Sequence, residues 1–390
     1  MKELKAKRFL LYFVTFFYWF GQYVYVHFLT PYLTGTLGIT ASFAGTIVGA
    51  YGVTQLIIRL PIGLMADVKQ KHRLFIFLGG FMCAMGSLVC RLSVNPYVLF
   101  CGRALSGVAS SMWISFTILN STYYDPSELS KSLGTINAMN NAGILSGYIA
   151  GGILYGKFGM NLLFSLSIGA GGIAAVAALF VKNDPATRSA PSVKELLPIL
   201  KQKRLIAFAV CGAVFQFISF ATANSFSNSF IKSAGVSDFE LSVCSALFTL
   251  AGMLSSYFVG TKTAAKIGEK WLCAVGFGLL AIYVFILPFL TSFTAIAMVQ
   301  FMGGCGSTSV FSMLMSCAIH DVPAHQRSTA MGFYQSVYSL GVTLGPAIMG
   351  GMIDAMTLQP AFICVGALSM VFGIAFPFIY KFAVSKKATV

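Results

Sequence analysis

Charge is what this chain of 390 residues has least of: Asp, Glu, Lys and Arg make up 9% of it, where a soluble domain carries about 25%. With 57% hydrophobic residues and a mean hydropathy of +0.81, that shortage excludes ordinary soluble enzymes and nucleic-acid binders. The nine cysteines include no CxxC pair and all fall in apolar runs, which speaks against a disulfide framework and a zinc site. No phosphate loop of the form GxxxxGK followed by Ser or Thr occurs, so the chain itself is not expected to hydrolyse ATP. No Asp or Glu stands in the middle of an apolar run, and the four histidines are scattered. A membrane-embedded enzyme needs convergent acids, a nucleophile with its base or a metal cluster, and none of these is supplied. No cofactor or metal is expected.

What the chain has instead is long apolar sequence. Crossing a bilayer takes about 20 apolar residues per helix. Runs of that kind lie near 9–32, 42–65, 74–92, 97–121, 132–156, 161–181, 205–231, 240–261, 271–291, 294–318, 329–353 and 360–382. The expected fold is an all-α integral membrane protein of twelve transmembrane helices. Lys2, Lys5, Lys7 and Arg8 before the first run look superficially like a signal peptide, but the run is too long and reads as a retained first span.

The formal charge of +15 suggests topology rather than a nucleic-acid partner, because the cations cluster between apolar runs. With a cytoplasmic N-terminus, the inner segments collect 21 of the 26 Lys and Arg; Arg91, Lys157 and Lys232 lie outside, and Arg59 and Arg103 lie within spans. Both termini are therefore expected in the cytoplasm, with the chain in the plasma membrane as a monomer. The stretch 182–204, rich in Lys, Arg, Pro and Ser, becomes a cytoplasmic linker between halves 1–181 and 205–390.

The halves repeat one another. Gly134, Gly143 and Gly147 recur 198 residues later as Gly332, Gly341 and Gly345, and one residue less carries Gly107 onto Gly304 and Arg103 onto Gln300. Duplicated units that rock about a midplane site are a recurring transporter design. Spans 3, 6, 9 and 12 lack interior Asn, Gln, His or charge, so every third helix is expected at the periphery; span 8 is an exception with only Ser and Thr.

Local motifs carry a family resemblance. Gly63-Leu64-Met65-Ala66-Asp67-Val68-Lys69-Gln70-Lys71-His72-Arg73 resembles the GxLaDrxGrR loop of the major facilitator superfamily, departing at Gln70 where the family has Gly. Arg59-Leu60-Pro61 is similar to the approach to that loop in the twelve-span drug-exporter-like branch. Arg103 with Gly107 resembles that branch's fourth-helix motif. Gly143 to Gly147 followed by Gly151-Gly152 resembles its antiporter motif, with Tyr148 in place of Pro; the Pro stands in the second half, at Pro346 after Gly345. The resemblance implies a solute transporter working by alternating access, with Gly63, Asp67, Lys71 and Arg73 forming a latch that holds the inside-closed state. Gly143, Gly147, Gly341 and Gly345 are expected to let helices pack closely, or to hinge with Pro346.

The expected solute lining is polar and interior: Tyr18, Gln22 and Tyr25 on span 1, Arg59 on span 2, Arg103 on span 4, Asn137, Asn140 and Asn141 on span 5, Gln216 and Asn224 on span 7, Gln300 on span 10, and Tyr334, Gln335 and Tyr338 on span 11. Arg59 lies eight residues before Asp67, about 12 Å along a helix, too far to reach the loop simply, so it needs an interior partner or water. His27 is expected at the membrane interface near the outer end of span 1. Two intramembrane arginines without a mid-span acid favour an anionic, zwitterionic or neutral polar solute over a cationic drug. Proton coupling and uniport both stay open, as does a transport-incompetent receptor of the same fold.

Overall fold

The computed structural model describes residues 2–69, 71–125, 128–182, 201–259, 266–322 and 327–384. Its regular structure is helical because a lipid-facing backbone must satisfy its own N–H and C=O groups within one segment. Span 1 joins Lys2–Tyr23, Val26–Pro31 and the π-helical turn Tyr32–Thr36; span 2 is Ala41–Lys69, span 3 His72–Leu92, and span 4 Pro96–Ser111 with Trp113–Thr122. Spans 5 and 6 share the helical run Leu129–Ala178, which bends at Gly159, where φ is 67° and only glycine is unstrained. Span 7 joins Lys203–Ala221, the π-helical turn Thr222–Phe226 and Ser227–Ser233. Spans 8 to 12 are Asp238–Val259, Glu269–Ile286 with its turn Leu287–Phe289, Phe293–Ile319, Arg327–Met356 and Leu358–Val384. The bend at Gly159 makes twelve crossings of eleven long apolar helices. Lys2 and Val384, the first and last described residues, therefore lie on one face, here the terminal face, with the opposite face called the far face.

Two pseudo-symmetric six-helix halves result. Span 1 packs on span 5 as span 7 packs on span 11, and span 2 packs on span 4 as span 8 packs on span 10. Glycines set these approaches. A Cβ on Gly143 would press on the Phe16 carbonyl and the Phe20 nitrogen, and one on Gly341 on the Ala213 carbonyl and the Phe217 nitrogen. The terminal-face ends match too: Arg8 Nε donates to the Tyr123 carbonyl at 3.0 Å and Arg204 Nε to the Cys317 carbonyl at 2.9 Å, each closing the last turn of the fourth helix in its half. Spans 3, 9 and 12 turn large apolar side chains outward, among them Phe81, Trp271, Val275, Ile374 and Phe378.

The halves meet along spans 2 and 11 and along spans 5 and 8. Gly45, Gly49 and Gly350 let the first pair touch backbone to backbone, at Pro346, Thr343 and Ala41. Without a hydrophobic drive between helices in lipid, such close dispersion contact holds them together. Replacement of Gly341 by Ala should therefore lower the melting temperature in detergent, by overpacking worth about 1–3 kcal/mol. Gly169→Ala, at a site with open space around it, should be neutral or stabilising by about 0.5–1 kcal/mol. Equal shifts for the two would contradict the packing role.

Candidate functional site

Span 2 presents Tyr51, Gln55 and Arg59 at four-residue spacing, which places them on one helix face. Gly107 on span 4 lies against the Tyr51 carbonyl with no room for a side chain, and this approach brings Arg103 beside Tyr51. The Arg103 guanidinium sits 5.0 Å from the Tyr51 ring centroid and donates from Nη1 to the Tyr25 hydroxyl at 3.2 Å. Tyr25 is also 3.2 Å from the Ser106 hydroxyl, and Gln22 Nε2 donates to the Ser106 carbonyl at 3.2 Å. Spans 1, 2 and 4 thus fix one cation inside the first half.

About 16 Å further toward the terminal face, counting helix rise from the far ends of spans 2 and 4, Arg59 repeats the arrangement. Its Nη1 donates to the Tyr338 hydroxyl of the other half at 2.5 Å, with the ring centroid 5.4 Å away. Between the two levels Gln55 donates to Ser110 at 2.5 Å and accepts from Ser339 of span 11 at 3.4 Å. Both arginines are buried, 3% and 6% exposed, and the Nε of each has no partner. Among the described residues no carboxylate pairs with either. Cation–π contact and a tyrosine hydroxyl offset part of the roughly 2.5–3.5 kcal/mol that a mid-span arginine costs, and leave each guanidinium able to accept an anion.

A small central cavity opens beside Arg103, bordered by Gln22, Tyr23, Tyr51, Phe220 and Asn224; at about 20 Å³ it has room for roughly one water. Asn224 comes from the π-helical turn of span 7, its Nδ2 donating to Ser219 Oγ at 3.0 Å. The cavity is thus too small for an organic solute in this conformation. Of the expected lining, Gln22, Arg103 and Asn224 converge on the cavity, Tyr25 stands behind Arg103 and holds it at 3.2 Å, Tyr18 stands behind Gln22 at 3.4 Å, and Arg59 with Tyr338 forms the second level. Gln300 is buried against Tyr283, away from the cavity, and Tyr334 packs on Gly212 with its hydroxyl unpartnered. Gln216 is buried, Gln335, Asn140 and Asn141 are half-buried, and Asn137 is exposed on the terminal half of span 5. Tyr51 and Gln55 were not among the expected residues, although their spacing from Arg59 was a readable signal.

The far face is sealed across the halves. Asp354 accepts from the Ala41 and Ser42 backbone N–H groups at 3.0 and 2.8 Å, so span 11 caps the start of span 2. His27, expected at the interface, is instead 1% exposed, with Nε2 2.7 Å from the Ser242 hydroxyl of span 8. Gly151 and Gly152 leave the space that His27 and Ser242 occupy, which is why a polar ring near a span end is not in water. Lys232 pairs with Asp238 on the same face at 2.5 Å. Toward the terminal face, among the described residues, Gly134 has open space around it and Gly332 meets only Leu60. The surroundings of Gly63, the side chain of Asp67 and all of Gln70 lie outside the described residues; Lys71 and Arg73 are exposed.

A helical bundle whose two halves enclose a polar midplane site defines a class, that of membrane transporters. The sequence model of the Major Facilitator Superfamily matches residues 11–261 and 209–389, and the chain belongs to that superfamily. It is a multi-pass membrane transporter and not an enzyme. It is 21% identical to an uncharacterized MFS-type transporter of Methanocaldococcus jannaschii, covering 96% of this chain and 98% of that one. It is 27% identical to the quinolone resistance protein NorA of Staphylococcus aureus, over 36% of each chain. Among solved structures, the nucleoside transporter NupG superposes with a TM-score of 0.77 at 16% identity, over 97% of this chain and 99% of that one. A bacterial homologue of the human lysosomal transporter Spinster, inward-facing and unoccupied, gives 0.76 at 14% identity, over 97% of both chains.

The sealed far face predicts that Asp354→Asn, which loses one of two backbone acceptors, shifts the chain toward far-face opening. Hydrogen bonds to a charged group are worth about 1.5–3 kcal/mol, so a cysteine at buried Val48 should be alkylated about tenfold faster on a cysteine-free background. An unchanged rate would mean that the Asp354 contacts do not hold the gate.

Proposed function

We propose that this transporter moves a small organic solute carrying an anionic or zwitterionic group, in preference to a cationic drug, by alternating access. The observation that supports it is Arg103: a buried guanidinium at the wall of the central cavity, with a free Nε and no carboxylate partner among the described residues. A carboxylate or phosphate on the solute completes that hydrogen bonding and neutralises the charge during crossing. Far-face closure by the Asp354 contacts fits one stage of such a cycle. The terminal face is taken as cytoplasmic from the Lys and Arg distribution, with 182–204 as the linker between halves in a plasma-membrane monomer.

A neutral planar solute is the second reading. Tyr51 and Phe220 lie nearly parallel at the cavity, 19° apart with centroids 6.4 Å apart, and Gln22 and Asn224 offer amides beside them. NupG, named as a nucleoside transporter, shares the fold.

Counterflow of labelled solutes in proteoliposomes, over a panel of organic anions, zwitterions, nucleosides and organic cations, separates these readings. Repeating it with and without a pH gradient reads proton coupling. An anionic or zwitterionic class should exchange, and Arg103→Lys, which keeps the charge and loses the planar fork, should weaken its apparent affinity by about tenfold or more. Exchange of nucleosides with wild-type affinity in Arg103→Lys would favour the planar reading. Exchange of cations alone would contradict both.

A further inference from the structure

A second cavity, unconnected to the solute site, opens at the terminal face where span 9 begins and span 12 ends. It is a broad groove of about 830 Å³. Ile267, Phe378 and Val384 make an apolar wall, with Phe378 74% exposed toward the bilayer. Lys270 and Lys381 stand on the same groove, Lys270 Nζ 4.6 Å from the centroid of the Trp271 ring. One acid, Glu269, shares the lining, but its carboxylate accepts from the Tyr380 hydroxyl at 3.0 Å and the Cys317 thiol at 3.2 Å, with Arg204 at 3.8 Å. That carboxylate is spoken for by spans 7, 10 and 12. Among the described residues, neither lysine has a carboxylate partner.

We propose that this groove binds one anionic phospholipid, its headgroup phosphate between Lys270 and Lys381 and an acyl chain along Phe378 and Val384. The apolar wall distinguishes a lipid from a free anion, because a soluble phosphate gains nothing from it. The lysines distinguish an anionic lipid from a zwitterionic one, since attraction of cationic side chains to anionic headgroups is additive near the surface. Trp271, 53% exposed at the groove, has the amphipathic ring favoured at headgroup depth. The groove lies on peripheral spans of the second half, so a lipid there does not obstruct the central path.

Trp271 also reports on the groove. The chain has three tryptophans, and Trp19 and Trp113 pack edge to face within the first half at 5.3 Å. The full-length protein is placed in phosphatidylcholine liposomes containing increasing fractions of dibrominated phosphatidylglycerol or dibrominated phosphatidylcholine. The quenching lost in Trp271→Phe isolates the groove signal. Brominated phosphatidylglycerol should quench Trp271 at a mole fraction lower by about tenfold. Lys270→Gln/Lys381→Gln should abolish that preference while leaving quenching by brominated phosphatidylcholine unchanged. Lys270→Arg/Lys381→Arg should retain it. Equal quenching by the two lipids in the wild type would overturn the proposal, as would a preference that survives in the Gln variant or is lost in the Arg variant. Relief of quenching by millimolar inorganic phosphate would assign the lysines to a soluble anion instead and overturn it too.

Discussion

A charge inside a bilayer must be neutralised by something the protein or its cargo brings, because hydrocarbon offers neither water nor counter-ions. Arg103 and Arg59 bring the charge, and the described chain brings tyrosine hydroxyls and ring faces rather than acids. Much of the interior follows from that condition. Tyr25, Tyr51 and Tyr338 are placed to share the charge, Ser106 and Ser110 line the same face of span 4, and Gln55 links the two levels across the halves. The unpartnered Nε atoms are the remaining deficit, which the proposed anionic cargo would make good.

The second condition is that helices in lipid associate by contact rather than by exclusion from water. Glycine backbones meeting across the far half of spans 2 and 11 give a closed seam that ends in the Asp354 cap of span 2. The same device joins span 1 to span 5 and span 7 to span 11 inside each half. Rocking one half against the other changes the first kind of contact and leaves the second intact. Polar links between halves, Arg59 to Tyr338 and His27 to Ser242, sit at different depths and need not break together.

The crossings were legible because apolar length is a strong signal, and the repeat was legible because glycine positions tied to backbone contact recur at one offset. Arg103 and Arg59 stood out through the cost of mid-span charge. His27 was misplaced because its distance from the span end says nothing about Gly151 and Gly152, which open a slot for it on a helix far away in sequence. Gln300, the repeat counterpart of Arg103, hydrogen-bonds Tyr283 and does not border the small cavity beside Arg103. Repeat equivalence fixes a position on a helix, and the local partner decides what the side chain does there. Tyr51 was passed over because an aromatic residue is common in a chain with 36 Phe, although its four-residue register with Gln55 and Arg59 marked it.

The central claim, that the buried Arg103 guanidinium is completed by an anionic group of the solute, is tested most directly by ligand stabilisation of the purified protein. Thermal unfolding is followed over one panel of organic anions, zwitterions, neutral solutes and cations, in the wild type and in Arg103→Gln. The account predicts that stabilising compounds share a carboxylate or phosphate and that the stabilisation disappears in Arg103→Gln while a properly folded protein remains. Stabilisation by cations, or by the same anions to the same extent in Arg103→Gln, would contradict it.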